Sequence, residues 1–270
     1  MRIRTRLWLG VGVSVLAGGA ALAQPLTLDP ELRHDIALAG PGGEGGEGGE
    51  GGEGGEGGFD AAVAARDPAV FLTALDVIAA HVLAARDAYA AGEKTAAVEM
   101  FAHPIAEVYV DLEPVLTQRG AEPFLAEMEK AGELAGAGAP PAEISRAADA
   151  ILAKLVAAGA KAPATPAIQA RVVAEMADRA ARQYGLARKD TALEPYLDGY
   201  GLFLAAAARA QAALPAIRTA APDTAAELTT VLRQLAAAYP TATRPAKLEA
   251  PHAQLLAGAS KAKLAAGRIQ

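Results

Sequence analysis

Residues 67–93 read DPAVFLTALDVIAAHVLAARDAYAAGE, and this stretch decides the fold class. Asp67 ahead of Pro68 puts a capping side chain before a proline at the first helical position. Leucine, valine and isoleucine then recur at helical spacing in an alanine-rich background until Gly92 ends the run. His81 falls in the middle, beside Val77, Ile78 and Ala85, a neighbourhood expected to face other helices rather than water.

The same signals repeat on the C-terminal side. Thr165-Pro166 is a second cap-and-proline start, and Thr224-Ala225-Ala226-Glu227 fits a capping box. Stops fall at Gly92, Gly120, residues 136–141, residues 159–163, Gly185 and Tyr239-Pro240. Together they predict helices over about 68–91, 94–102, 104–119, 122–135, 141–158, 166–184, 191–219, 223–239 and 246–265. No segment alternates with period two, so residues 59–270 are expected to form an all-α helical bundle large enough to bury a continuous core. Two related half-bundles, divided near 136–141 or 159–163, are a second arrangement this pattern permits.

On the N-terminal side the chain changes character. Arg2, Arg4 and Arg6 precede an apolar run over 7–22, and Ala21-Leu22-Ala23 is a small-residue cleavage site, so residues 1–23 read as a signal peptide. The run is shorter than the roughly 20 residues of a membrane span, and the expectation is an exported chain, periplasmic or secreted, with no stable membrane insertion after cleavage. Within the 24–58 segment, 26–39 has the pattern of a short helix carrying His34 and Asp35, and 42–58 is five Gly-Gly-Glu triplets closed by a glycine pair. Such a tract is expected to be a flexible, disordered linker with a root-mean-square span of about 23 Å.

Charge and composition exclude several functions. Residues 24–58 carry a net charge of −7 and residues 59–270 only −2, so the acidity belongs to the N-terminal segment. A nearly neutral body that is poor in aromatics offers no phosphate-tracking face, which argues against nucleic acid as a partner. The chain has no cysteine, which removes disulfides, thiolate-held metals and cysteine nucleophiles. A zinc-peptidase His-Glu-x-x-His, a Gly-x-Ser-x-Gly elbow and phosphate- or dinucleotide-binding glycine loops are also missing.

What remains is metal chemistry on helices. Between Lys94 and Arg119 lie Glu99, His103, Glu107, Asp111 and Glu113 without a single Lys or Arg. Pro104 suits a first helical position, which would make His103 the N-cap of a helix through Glu107 and Asp111. Glu107 and Asp111, four apart, then repel by roughly 0.2–0.5 kcal/mol, and a cation would offset this; a solvated acidic face is the alternative. Four residues rise about 6 Å, so His103 with Glu107, or Glu107 with Asp111, is a chelating pair, whereas all three cannot share one ion. Further ligands must come from neighbouring helices. His81 is the leading candidate, followed by Asp198 in Glu194-Pro195-Tyr196-Leu197-Asp198, where Asp198 ranks ahead of Glu194 because it lies further into its helix.

Two stretches carry a family resemblance. AYAAGEKTAAVEMFAHPIAEVYVDLEP, ending at Pro114, and residues 171–245, from RVVAEMADRAARQYG through LEPYLDGYG to AAAYPTATRP, resemble the imelysin-like helical proteins, which include periplasmic components of bacterial iron uptake. The chain departs from that family's Gly-x-His-x-x-Glu hallmark, because the residues three after its histidines are Ala37, Ala84, Ala106 and Leu255. The resemblance implies a helical fold and an exported, metal-related role, with His81, His103, Glu107 and Asp111 as the positions to carry as metal candidates. The resulting expectation is a periplasmic bundle binding a transition metal, iron ahead of zinc or copper, for uptake or handling. His81, His103 and Glu107 are its candidate ligands, with Asp111 a ligand or a partner that orients one and Asp198 a further candidate. Partners would be the ion and a membrane transporter or another periplasmic protein. A metal-free interaction scaffold and an imelysin-type metallopeptidase are the rival readings.

Overall fold

Asp60 and Asp67 cap the first two described helices as their residue type favours. Asp60 accepts from the N–H groups of Ala62 and Val63 to cap α1 (Ala61–Ala64). Asp67 accepts from Ala69 N–H at 2.7 Å to cap α2 (Pro68–Ala90), with Pro68 at its first position. These features come from a computed structural model that describes residues 60–269, so the expected signal peptide, the 26–39 helix and the Gly-Gly-Glu tract lie outside the described residues. The remaining elements are α3 (Lys94–Pro104), a π-helical turn (Ile105–Tyr109), α4 (Val110–Gln118), α5 (Leu125–Gly136), α6 (Pro141–Gly159), α7 (Pro166–Lys189), α8 (Glu194–Ala220), α9 (Pro222–Ala238) and α10 (His252–Ala266). The protein is an all-α helical bundle, with no strand among the described residues.

Helices α2 and α8 are its axis. Both are long and apolar enough to cross a membrane by length and composition alone, but 83% and 61% of those windows are buried inside the protein. Helix α2 packs against α3, α6, α7 and α8, while α10 closes over α7 and α9. The two axial helices run antiparallel. Asp76 pairs with Arg209, Ala80 meets Gly201, and Asp87 Oδ2 accepts from Tyr200 Oη at 2.9 Å. At the middle contact a Cβ on Gly201 would overlap the Ala80 carbonyl and crowd Ala84, so only glycine permits this spacing.

Polar pegs tie the bundle together. The Arg209 guanidinium grips Asp76 through both carboxylate oxygens and donates to Gln169 Oε1 at 2.8 Å, joining α2, α7 and α8. Burial pushes the Asp76 carboxyl up, and the Arg209 hydrogen bond and charge oppose it. Tyrosines fasten the connections: Tyr89 donates to Ala139 O at 2.6 Å, Tyr196 to Thr241 O at 2.7 Å, and Tyr184 accepts from Ala250 N–H at 2.9 Å. Burial holds the Tyr196 phenol in its protonated form, pushed up to about 12, so it remains a donor at any working pH.

Three expectations are corrected. Gly185 does not end α7, which continues to Lys189; the glycine instead makes room for the His252 ring, which a Cβ would strike. Thr224 forms no capping box, because α9 begins at Pro222 and the Thr224 hydroxyl donates to Ala265 O of α10 at 3.2 Å. The third concerns His103: α3 runs through it to Pro104, so it is a last-turn residue and not an N-cap.

Gly201→Val should lower stability by about 1–3 kcal/mol from overpacking at the α2–α8 crossing. Gly136→Ala, where no atom lies within 4 Å of the new Cβ, should be neutral or stabilising. Urea midpoints at constant m-value check both. His252 supplies a pH test. Burial, with Arg188 and Lys189 nearby, holds its imidazole below the usual 6.5, although the Ala181 backbone works the other way. The folded state therefore favours the neutral ring: its contribution is complete above about pH 6.5 and declines as pH falls toward the folded value. Replacing it with glutamine should flatten that part of a stability–pH profile.

Candidate metal centre

The site begins with one imidazole inside the core. His81 on α2 places Nδ1 2.9 Å from the carbonyl of Val77, one turn back. A carbonyl can only accept, so Nδ1 carries a proton, and in the neutral ring Nε2 is then the nitrogen with the lone pair. That nitrogen faces Oδ1 of Asp198 on α8 at 3.8 Å, and both side chains are only 5% exposed. This separation is too long for a hydrogen bond. It suits two donors bound to one ion, since metal bonds of about 2.0–2.2 Å place such donors up to about 4 Å apart.

His103 completes the group from α3. Its ring centroid lies 6.3 Å from that of His81 at an interplanar angle of 74°. One ligand atom from each of His81, His103 and Asp198 lies within 4.8 Å of the other two. Small side-chain rotations would bring such a set onto one ion. The sequence supplies all three residues, and the crossing of three helices brings them together.

The wall formed by His103 is the open one. Its side chain is 27% exposed, and Nδ1 lies 3.6 Å from Oε1 of Glu194, the first residue of α8, which is 53% exposed. Glu194 and Asp198 are four apart on α8, like charges whose repulsion a cation between the helices would relieve. Two imidazole nitrogens and a carboxylate oxygen are borderline donors suited to iron, zinc, copper or manganese.

The two other candidates lie elsewhere. Pro104 lacks an N–H and its ring crowds the carbonyl four residues back, and the chain answers with a π turn in which Val110 N–H donates to Ile105 O, five residues behind. The turn takes in an extra residue and changes the helical phase. Val108, Tyr109 and Leu112 are buried, while Glu107 and Asp111 are exposed and outside the three-residue group. The π turn lies between His103 and Glu107, so their spacing departs from that of an uninterrupted α-helix. Sequence reasoning placed Glu194 behind Asp198 and passed over Gly201; the four-residue spacing and the Gly199–Gly201 pair inside an apolar helix were the available signals. Compared with family models, curated proteins and solved structures, the chain matches none.

Proposed function

We propose that the protein binds one transition-metal ion between α2, α3 and α8, with His81, His103 and Asp198 as ligands. The observation that carries this reading is the mutual approach of their ligand atoms to within 4.8 Å. The Val77 carbonyl adds support, because an outer hydrogen bond that fixes the tautomer is what metal-binding histidines characteristically have. Two imidazoles and one carboxylate with positions open toward solvent is a donor set used for ferrous iron, and iron is the ion we favour over zinc or copper. With the signal-peptide pattern and the imelysin-like resemblance, the reading extends to an exported protein of iron uptake or handling, delivering its ion to a transporter or another periplasmic protein.

Purified protein loaded with Fe2+ under anaerobic conditions, or with Zn2+, should retain one equivalent after dialysis. His81→Ala and Asp198→Asn should each lose it, whereas the Glu107→Gln, Asp111→Asn double variant should keep it. Metal analysis of the dialysed proteins reads this directly, and equal retention by His81→Ala would overturn the site. Thermal unfolding separates the metal reading from the scaffold one. At free metal 100 times Kd, native-state binding stabilises by about 2.7 kcal/mol, so a chelator should lower the melting temperature of the loaded protein. A melting temperature indifferent to both metal and chelator would favour the scaffold.

A further inference from the structure

Glu194 belongs to the same corner of the fold but outside the three-residue group. Its Oε1 lies 3.6 Å from Nδ1 of His103, ion-pair range and slightly longer than a hydrogen bond. The two imidazoles are thus treated alike: Nδ1 of His81 is turned to the Val77 carbonyl, and Nδ1 of His103 to the Glu194 carboxylate. In each ring an oxygen against Nδ1 favours the proton there and leaves Nε2 to serve as ligand.

Resting on the metal reading above, we propose that Glu194 is the positioning residue of the site: its carboxylate holds the Nδ1 proton of His103 and so presents Nε2 to the ion. The two α8 carboxylates then divide the work. Asp198, 5% exposed, is a ligand at the buried end, and Glu194, 53% exposed, braces the ligand that faces solvent. The brace matters more for His103 than it would for His81. His81 is walled in by the core, whereas His103 is partly exposed beside a π turn, where less of the surroundings fixes its ring.

The test uses the purified protein and Zn2+ as a diamagnetic probe, with affinity read by competition against a chromophoric chelator. Partners of this kind are worth about 10–100-fold in metal affinity, so Glu194→Ala should weaken Zn2+ binding by that factor. Glu194→Gln, which still accepts a hydrogen bond, should recover part of the loss. Nitrogen-15 correlation spectra of the His103 ring should show the proton on Nδ1 and the metal on Nε2 in the loaded wild type. Affinity within twofold of wild type in Glu194→Ala, or a ring ligated through Nδ1, would overturn the role of Glu194 while leaving the three-residue site standing. A wild type that takes up neither Zn2+ nor Fe2+ would overturn the metal reading, and the positioning role with it.

Discussion

The backbone contact between α2 and α8 at Ala80 and Gly201 is the constraint on which the site depends. His81 is the residue after Ala80, and Asp198 lies about one turn before Gly201, so the distance from imidazole to carboxylate follows from how closely the two helices cross. A Cβ at 201 would push the helices apart and with them the imidazole and the carboxylate. The Asp76–Arg209 pair further along fixes the register of the same crossing. A slip of one turn would strip the buried Asp76 of the part-buried Arg209, and breaking a buried pair costs up to about 3–5 kcal/mol. Close approach sets the width of the site and the ion pair sets its alignment.

Most of the fold was legible because the signals were local. Pro68, Pro141, Pro166 and Pro222 sit at or near the first positions of their helices, and glycines at 92, 120 and 138 take the positive φ that ends a helix without strain. Structure departs from local signal where one residue type serves two purposes. A glycine marks either a stop or a close approach, and Gly185 is the second kind because of a histidine 67 positions later in the chain. Thr224 has the sequence pattern of a cap, but its hydroxyl serves α10. Neither partner is visible from the local sequence.

The site was legible as a set of residue types and not as a geometry. His81, His103 and Asp198 stood among the candidates, yet nothing in the sequence says that α8 crosses α2 opposite α3. Glu107 and Asp111 were carried by the assumption that α-helical spacing continues past Pro104. After Pro104 the helix passes through a π turn that shifts its phase, and beyond it Leu112 is buried and Asp111 exposed. Proline at a first helical position and proline within a π-bulged helix look alike in sequence, because both remove an N–H and restrain φ.

Burial of the three residues is unequal, and for the proposed metal role that inequality has a kinetic meaning. The His81–Asp198 wall is held by the core, and displacing it would require opening the α2–α8 crossing, an excursion approaching the global stability of about 5–15 kcal/mol for a typical domain. The His103–Glu194 wall lies at the surface, on the last turn of α3 and the first residue of α8. Helix ends and exposed side chains move at far smaller cost. An ion could therefore exchange through the His103 side while two of its ligands stay fixed. A purely structural metal gains from closure on every side, since each exposed ligand is a route for loss. One rigid wall facing one accessible wall suits a protein that must both take up its ion and release it.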